Sequence, residues 1–254
     1  MFKDLEVYVI NLDRSPERMA DMKKKLSALG LEYKRIPAVD GKKTEFTANE
    51  VNAKKYSLLH GKYITPTEVA CFVSHYNVMK EFITNSKKKF ALVLEDDMEF
   101  SDDFLDVLSL ILKNKSWDLV KLNGGHSGGN VKALKLNDKY SLVLNAFHQS
   151  KTGAYLMNRK AGQAYLDKLL PMFVPIDHEF IKFWKYHLRG FSVAPFPTWE
   201  EDVPSTIDYK MVKKNRKAWY KNFPKLFYKM YIAVYRLVWV LPQIIKNKFT
   251  FRNK

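Results

Sequence analysis

Three acids in a row, Glu95-Asp96-Asp97, follow directly on the apolar run Phe90-Ala91-Leu92-Val93-Leu94. An apolar run behind a polar, lysine-rich stretch predicts a short buried strand. Side chains alternate between strand faces, so a continued strand would put Glu95 and Asp97 on one face and Asp96 on the other. Carboxylates that converge at the end of a buried strand repel one another unless a cation lies between them. Hard oxygen donors suit Mg²⁺ or Mn²⁺. Open α/β sheets bind ligands beyond the carboxyl ends of their strands. A plainer reading makes these acids the lead-in to a helix, with Ser101 as N-cap and Asp102 and Asp103 in its first turn. That accounts for Asp102 and Asp103 but gives no reason for the three acids ahead of the cap.

The flanking segments must position this corner. Glu6 to Leu12 reads as a first strand. Ser15 with Pro16 predicts a helix start, Met19, Met22, Leu26 and Leu29 recur at helical spacing, and Gly30 suits the stop. Tyr33 to Val39 is a second strand, ending at Asp40-Gly41. The unit is β-α-β, the usual opening of a nucleotide-binding α/β fold. Asn11 and Asp13, at the first strand's carboxyl end, are placed for a nucleoside. Arg14 and Arg18 suit a pyrophosphate or uracil, with a solvated helix face as the rival explanation. A short helix is expected around Thr47 to Lys55. Thr65-Pro66-Thr67-Glu68 is a capping box heading a helix that carries Cys71, Ser74 and His75. Glu68 is first a capping residue there, and a ligand role can coexist. A satisfied buried histidine is the commoner fate of His75.

Further on, Trp117 to Leu122, Leu142 to Phe147, Ala154 to Met157 and Phe191 to Ala194 read as strands. The glycine-rich loop Gly124 to Gly129 lacks the lysine and spacing of a P-loop. Asn158 caps a helix to Leu170, and a further helix is expected from Ile176 to His187. Asp177 begins that helix after a proline-bracketed connection. A carboxylate there can face a cleft as a general base, or serve only as an N-cap.

Composition narrows the classes. The chain has 254 residues, 46% hydrophobic and 14% aromatic, enough for one sizeable α/β domain with an appendage. The single cysteine, Cys71, excludes an internal disulfide and points to a reducing compartment. The N-terminus lacks signal-peptide features. A net charge of +16 favours anionic partners. The excess lies largely in the tail, which has no Asp or Glu after Asp208. A metal-dependent nuclease or other nucleic-acid binder is therefore the rival class. The basic residues crowd away from the chemical core, however, and no RNP, helix-turn-helix or zinc-ligand spacing is found, so no nucleic-acid partner is expected. A pure membrane adaptor would leave the acidic triplet without purpose.

Within the tail, Leu226 to Ile245 has the length of a membrane span. Lys229 and Arg236 lie inside it, at about 2.5–3.5 kcal/mol each near a bilayer centre, and Pro242 is expected to break the helix. Lys221, Lys225, Lys229 and Arg236 share one helical face, and Met230, Ala233, Val234, Leu237 and Leu241 lie towards the other. That pattern fits a helix lying in an anionic membrane surface. Packing on the catalytic domain or a homodimer is the other arrangement.

Read together, VINLDRSPER, TEVACFVSH, ALVLEDDMEF and KTGAYLMNRKAGQAYL resemble, in order over about residues 5–207, glycosyltransferase family 25. These are lipooligosaccharide galactosyltransferases of Gram-negative bacteria, related to collagen galactosyltransferases. One departure is Thr67-Glu68-Val69-Ala70-Cys71, where the family often has a glycine pair around the cysteine. The resemblance implies a GT-A type Rossmann-like α/β fold, a UDP-galactose or UDP-glucose donor and inversion. It maps the metal-binding motif onto Glu95-Asp96-Asp97, with Glu95 and Asp97 as ligands to Mn²⁺ or Mg²⁺.

The expected donor site then comprises Asn11, Asp13, Arg14, Arg18, Asp40, Glu68, Ser74, His75, Glu95 and Asp96. Thr152, Gly153 and Tyr155 are expected on the acceptor side, with Asp177 as catalytic base. Residues 1–208 would form the catalytic domain and 209–254 a basic, largely helical tail. The expected acceptor is a lipid-linked oligosaccharide of the lipopolysaccharide core. The expected location is the cytoplasmic face of the bacterial inner membrane, held peripherally.

Overall fold

A computed structural model of the chain describes residues 2–114, 116–125, 128–201 and 223–252, with side chains described as far as residue 243. The expected boundary at 208/209, and with it Lys221 and the loop residues His126 and Ser127, lies outside the described residues.

The first half builds a parallel sheet edge. β1 (Leu5–Asn11) pairs in parallel with β2 (Lys34–Pro37) and, on its other side, with β3 (Phe90–Glu95). Two helices make the crossovers, α1 (Pro16–Ala28) and α3 (Pro66–Asn85). The capping box of α3 is complete: Glu68 N donates to Thr65 Oγ1 at 3.3 Å and Thr65 N donates to Glu68 Oε2 at 3.1 Å. The expected helix at Thr47 to Lys55 falls later, as α2 (Ala53–His60). Its start is fixed by Asn52, whose side chain accepts from Lys55 N, and its stop by Gly61 at φ 78°.

The sheet continues β2-β1-β3-β8-β5-β9-β7-β6. Its members here are β5 (Leu119–Lys121), β6 (Asn130–Lys135), β7 (Ser141–Asn145), β8 (Ala154–Asn158) and β9 (Gly190–Ala194). The expected α/β class holds, with β8 inserted antiparallel between β3 and β5. A small two-stranded sheet joins β4 (Met98–Phe100) to β10 (Thr198–Glu200).

Strand alternation divides the core into two layers. Tyr8, Ile10, Ala91, Val93, Leu119 and Tyr155 face α3 and α5 (Arg159–Lys168). Val7, Val9, Leu92, Leu94, Val120 and Leu156 face α1 and α4 (Phe104–Lys113). Glu95 and Lys121 continue the first set by parity, which directs both towards α3.

Three expected elements differ. The helix expected at Asp102 begins at Phe104 with Asp103, not Ser101, at its N-cap. Asp103 makes no cap bond; it accepts from Lys139 and from the Tyr140 hydroxyl at 2.7 Å each, and these hold its carboxyl below the usual range. The helix expected from Ile176 to His187 is two short ones, α6 (Ile176–Phe180) and α7 (Phe183–Tyr186), ending at a left-handed His187. Finally α8 (Phe223–Arg252) runs through Pro242 without breaking. Pro242 lies on the exposed side, where the carbonyl it frees can meet solvent. No helix among the described residues is long and apolar enough to cross a membrane.

Candidate active site

Strand β3 ends at Glu95, and the chain turns at once through Asp96 and Asp97 into β4. The alternation expected for a continued strand is therefore lost, and Asp96 and Asp97 are gathered by one cation. Arg18 of α1 places Nη2 2.6 Å from Asp96 Oδ1 and 2.7 Å from Asp97 Oδ2. Asn11 donates to the other Asp96 oxygen at 2.6 Å. Glu95 points instead to the α3 layer, where its Oε1 lies 3.3 Å from His75 Nε2. The other nitrogen of His75 lies 3.1 Å from the Tyr155 hydroxyl. His75 is thus buried and satisfied, and it fixes the direction of Glu95.

The corner is short of positive charge. Burial, with Glu95 beside it, pushes the Asp97 carboxyl up to about 6, Arg18 opposing. Asp97 Oδ1 is buried and has no hydrogen-bond partner. Asp96 is raised as well, by burial first. A divalent cation would match what this corner offers: oxygen donors, uncompensated negative charge and an orphaned oxygen. Sulfur and nitrogen are also at hand, since ligand atoms of Cys71, His75 and Glu95 lie within 4.8 Å of one another.

Asp177, on α6, approaches the same place. The charges of Glu95, Asp177, Glu68 and Asp97 all bear on the Cys71 thiol, which burial holds well above its usual value. The charges of the acidic turn and of Asp177 therefore reach the same thiol. Asp177 is half-buried, and Pro175, not Asp177, is the N-cap of α6. Two histidines stand with it: ligand atoms of His148, Asp177 and His178 lie within 4.8 Å of one another. The rings of His148 and His178 lie 4.3 Å apart, and burial holds the protonation of both below the ordinary range. Lys121, on β5, completes this side. Its buried Nζ donates to the carbonyls of Gln149 and Ser150 at 3.2 Å each. Burial pushes the ammonium down to about 7, with Asp177 opposing.

The other expected site residues fall into distinct places. Arg14 and Asp40 pair at 3.1 Å on the surface, and a bond from Lys42 N helps hold the Asp40 carboxyl low. Asp13 is exposed and pairs with Arg35, which also donates to Asn11 Oδ1 at 2.9 Å. Glu68 is occupied by the cap, by the Tyr56 hydroxyl at 2.9 Å and by Lys62 at 2.5 Å. Ser74 donates to Ala70 O at 2.7 Å and accepts from Val39 N at 2.9 Å, which ties α3 to the sheet edge. Thr152 and Tyr155 are buried, and Tyr155 reaches Glu95 only through His75. Gly153 accepts from Glu95 N at 2.7 Å, and a Cβ there would meet Met98 Sδ at 2.5 Å.

Sequence reasoning missed Arg35, Lys121, His148 and His178. Lys121 carried a signal, a lone lysine inside an apolar strand. The histidines come from separate segments that only the fold brings together.

Residues 4–180 match the model of glycosyltransferase family 25 (LPS biosynthesis protein). A glycosyltransferase 25 family member of Anopheles gambiae is 27% identical over 259 residues, covering 87% of this chain and 42% of its own. Procollagen galactosyltransferase 1-B of Xenopus laevis is 30% identical over 224 residues, covering 76% of this chain and 36% of its own. The chain thus spans about two fifths of the length of these curated relatives. Among solved structures, a Drosophila β-1,4-galactosyltransferase 7 in complex with manganese, UDP-galactose and xylobiose matches 84% of this chain and 81% of its own. That match has 11% identity and a TM-score of 0.39.

Proposed function

We propose, from the premise that this chain belongs to glycosyltransferase family 25, that it transfers a hexose from UDP-galactose or UDP-glucose to a hydroxyl of a lipooligosaccharide core. The observation that carries this reading is the acidic turn after β3, with an unpaired Asp97 oxygen, whose charge and that of Asp177 both act on Cys71. Asp97 and Glu95 would hold Mn²⁺ or Mg²⁺, which when bound offsets charge on a leaving diphosphate.

The chain's own groups supply the rest. Arg18 and Asn11 hold Asp96 and orient the turn, and His75 fixes the direction of Glu95. In an inverting transfer the acceptor oxygen bonds to the anomeric carbon as the bond from that carbon to the diphosphate breaks. The hydroxyl proton passes to the Asp177 carboxylate, and UDP leaves.

The outer face of α8 supports a place on lipid. Leu226, Phe227, Met230, Tyr231, Val234, Tyr235, Leu237, Val238 and Leu241 are all exposed along it. Such an apolar stripe suits the headgroup–acyl boundary, or the partner helix of a homodimer.

The test is UDP release by the full chain from UDP-galactose and UDP-glucose, with lipooligosaccharide core as acceptor, in Mn²⁺, in Mg²⁺ and in EDTA. Acceptor-dependent, metal-dependent release is expected. No release from any UDP-sugar, with degradation of oligonucleotides instead, would overturn the reading.

A further inference from the structure

Among the described residues, one buried charged group on the Asp177 side has no counterion. Arg236, on the inward face of α8, is 6% exposed. Among the described residues no hydrogen bond or ion pair of Arg236 is seen, and its contact there is with the Trp184 ring, 5.9 Å from the guanidinium carbon. Burial disfavours its charged form. A buried cation without a partner is costly, because its desolvation is not offset.

Arg236 belongs to the Asp177 side. Its charge bears on His148, His178 and Lys182, and Lys229 of α8 bears on His178 as well. The acids nearby are mostly committed. Glu68 pairs with Lys62, and Glu179 with Lys182 and Lys185. That leaves Lys229 and Arg236 against Asp177, with Lys121 already engaged, its Nζ held by the carbonyls of Gln149 and Ser150. Two imidazoles and a carboxylate match a divalent cation in ligand type. The surrounding cations favour the opposite sign.

We infer that Arg236, with His148, His178 and Lys121, forms an anion subsite beside Asp177, and that it takes a phosphate or carboxylate carried by the acceptor. Arg236 supplies a planar fork for such an oxyanion. The imidazoles can donate single hydrogen bonds to it. Assigning the anion to the acceptor rests on the glycosyl-transfer reading; anion binding itself does not. The α8 helix then acts as one wall of the acceptor site.

The experiment is thermal unfolding and titration calorimetry of the full chain, in EDTA, with UDP saturating the donor site. The probes are inorganic phosphate and glucose 6-phosphate, and vesicles of phosphatidylglycerol form a separate arm. Both soluble anions should raise the Tm of the wild type. Arg236→Gln should weaken their binding at least tenfold, without lowering the starting Tm and with UDP affinity unchanged. Arg236→Lys should retain part of the binding, and the surface control Lys54→Gln all of it.

Equal binding by Arg236→Gln and wild type, or loss of anion binding when UDP is added, would overturn the subsite. So would stabilisation by Zn²⁺ that is lost in His178→Gln and kept in Arg236→Gln. An Arg236-dependent effect seen only with vesicles would move the anion from the acceptor to a lipid headgroup and overturn the assignment. Failure to bind UDP would sink the donor reading while leaving the anion result intact.

Discussion

Replacing Asp97 by Asn should stabilise the protein while disabling it. The Asp97 carboxyl titrates at about 6 in the fold against an ordinary 3.8, chiefly because it is buried, with Glu95 adding to the effect. Between these values the folded state binds more protons than the unfolded one. Stability therefore falls as pH rises through the window. At 1.36 kcal/mol for each tenfold step, the full penalty above pH 6 is about 3 kcal/mol. Asn removes it, and the opposing pull of Arg18 is already contained in the value of about 6. The net gain is about 3 kcal/mol, or about 6–12 °C in Tm for a chain of this size. Differential scanning calorimetry in EDTA, from pH 4 to 7.5, should show the gap near zero at pH 4 and full by pH 7. Mn²⁺ should raise the Tm of the wild type and leave Asp97→Asn unmoved. A variant less stable than wild type at pH 7.5, or a gap independent of pH, would refute the picture of a buried carboxylate awaiting a cation.

Three other changes probe separate parts of the machinery. Asp177→Asn should preserve UDP-sugar affinity by calorimetry while lowering kcat by roughly 10²–10⁴-fold. Turnover near wild type would send the search for the base to Glu200 or Glu201. Gly153→Ala should cost about 1–3 kcal/mol, since its methyl would collide with buried Met98 beneath the carbonyl that holds Glu95; unchanged urea unfolding would contradict this. Val234→Asp together with Val238→Asp, both on the exposed stripe of α8, should abolish sedimentation with anionic vesicles and leave the Tm within a degree or two. Vesicle binding equal to wild type would remove α8 from the membrane.

Much of the fold could be read from local sequence, because its signals are contiguous. Asn158 capping α5, Thr65 and Glu68 opening α3, and the run into Glu95 each declare themselves within a few residues. The misplacement of α2 shows the limit: an Asn52 cap and a Gly61 stop were both present, but polar lysines hid the short helix between them. β4 and β10 escaped because three residues each carry no period. In the site, Glu95 to Asp97 could be found because they are adjacent. Arg18 between two carboxylates, and His148 beside His178, depend on tertiary approach across many residues. Arg236 shows how a helical wheel can mislead. Its face was legible as basic, yet Arg236 itself turns to the protein, because Trp239 and Val240 beside it pack into the core, while Lys229 on the same face stays exposed.

That orientation has a consequence for which sugars the enzyme can reach. If lipid covers the outward stripe of α8, the bilayer surface and the acceptor pocket lie back to back on one helix. A helix is about 10–12 Å across with its side chains. The helix then works as a ruler, with its thickness fixing the height of the reacting centre above the membrane. On that proposed arrangement, only hydroxyls within the first few sugars of a lipid-anchored chain would stand at that height. A longer, finished glycan would carry its growing end past the pocket, so the enzyme would extend young chains and ignore mature ones.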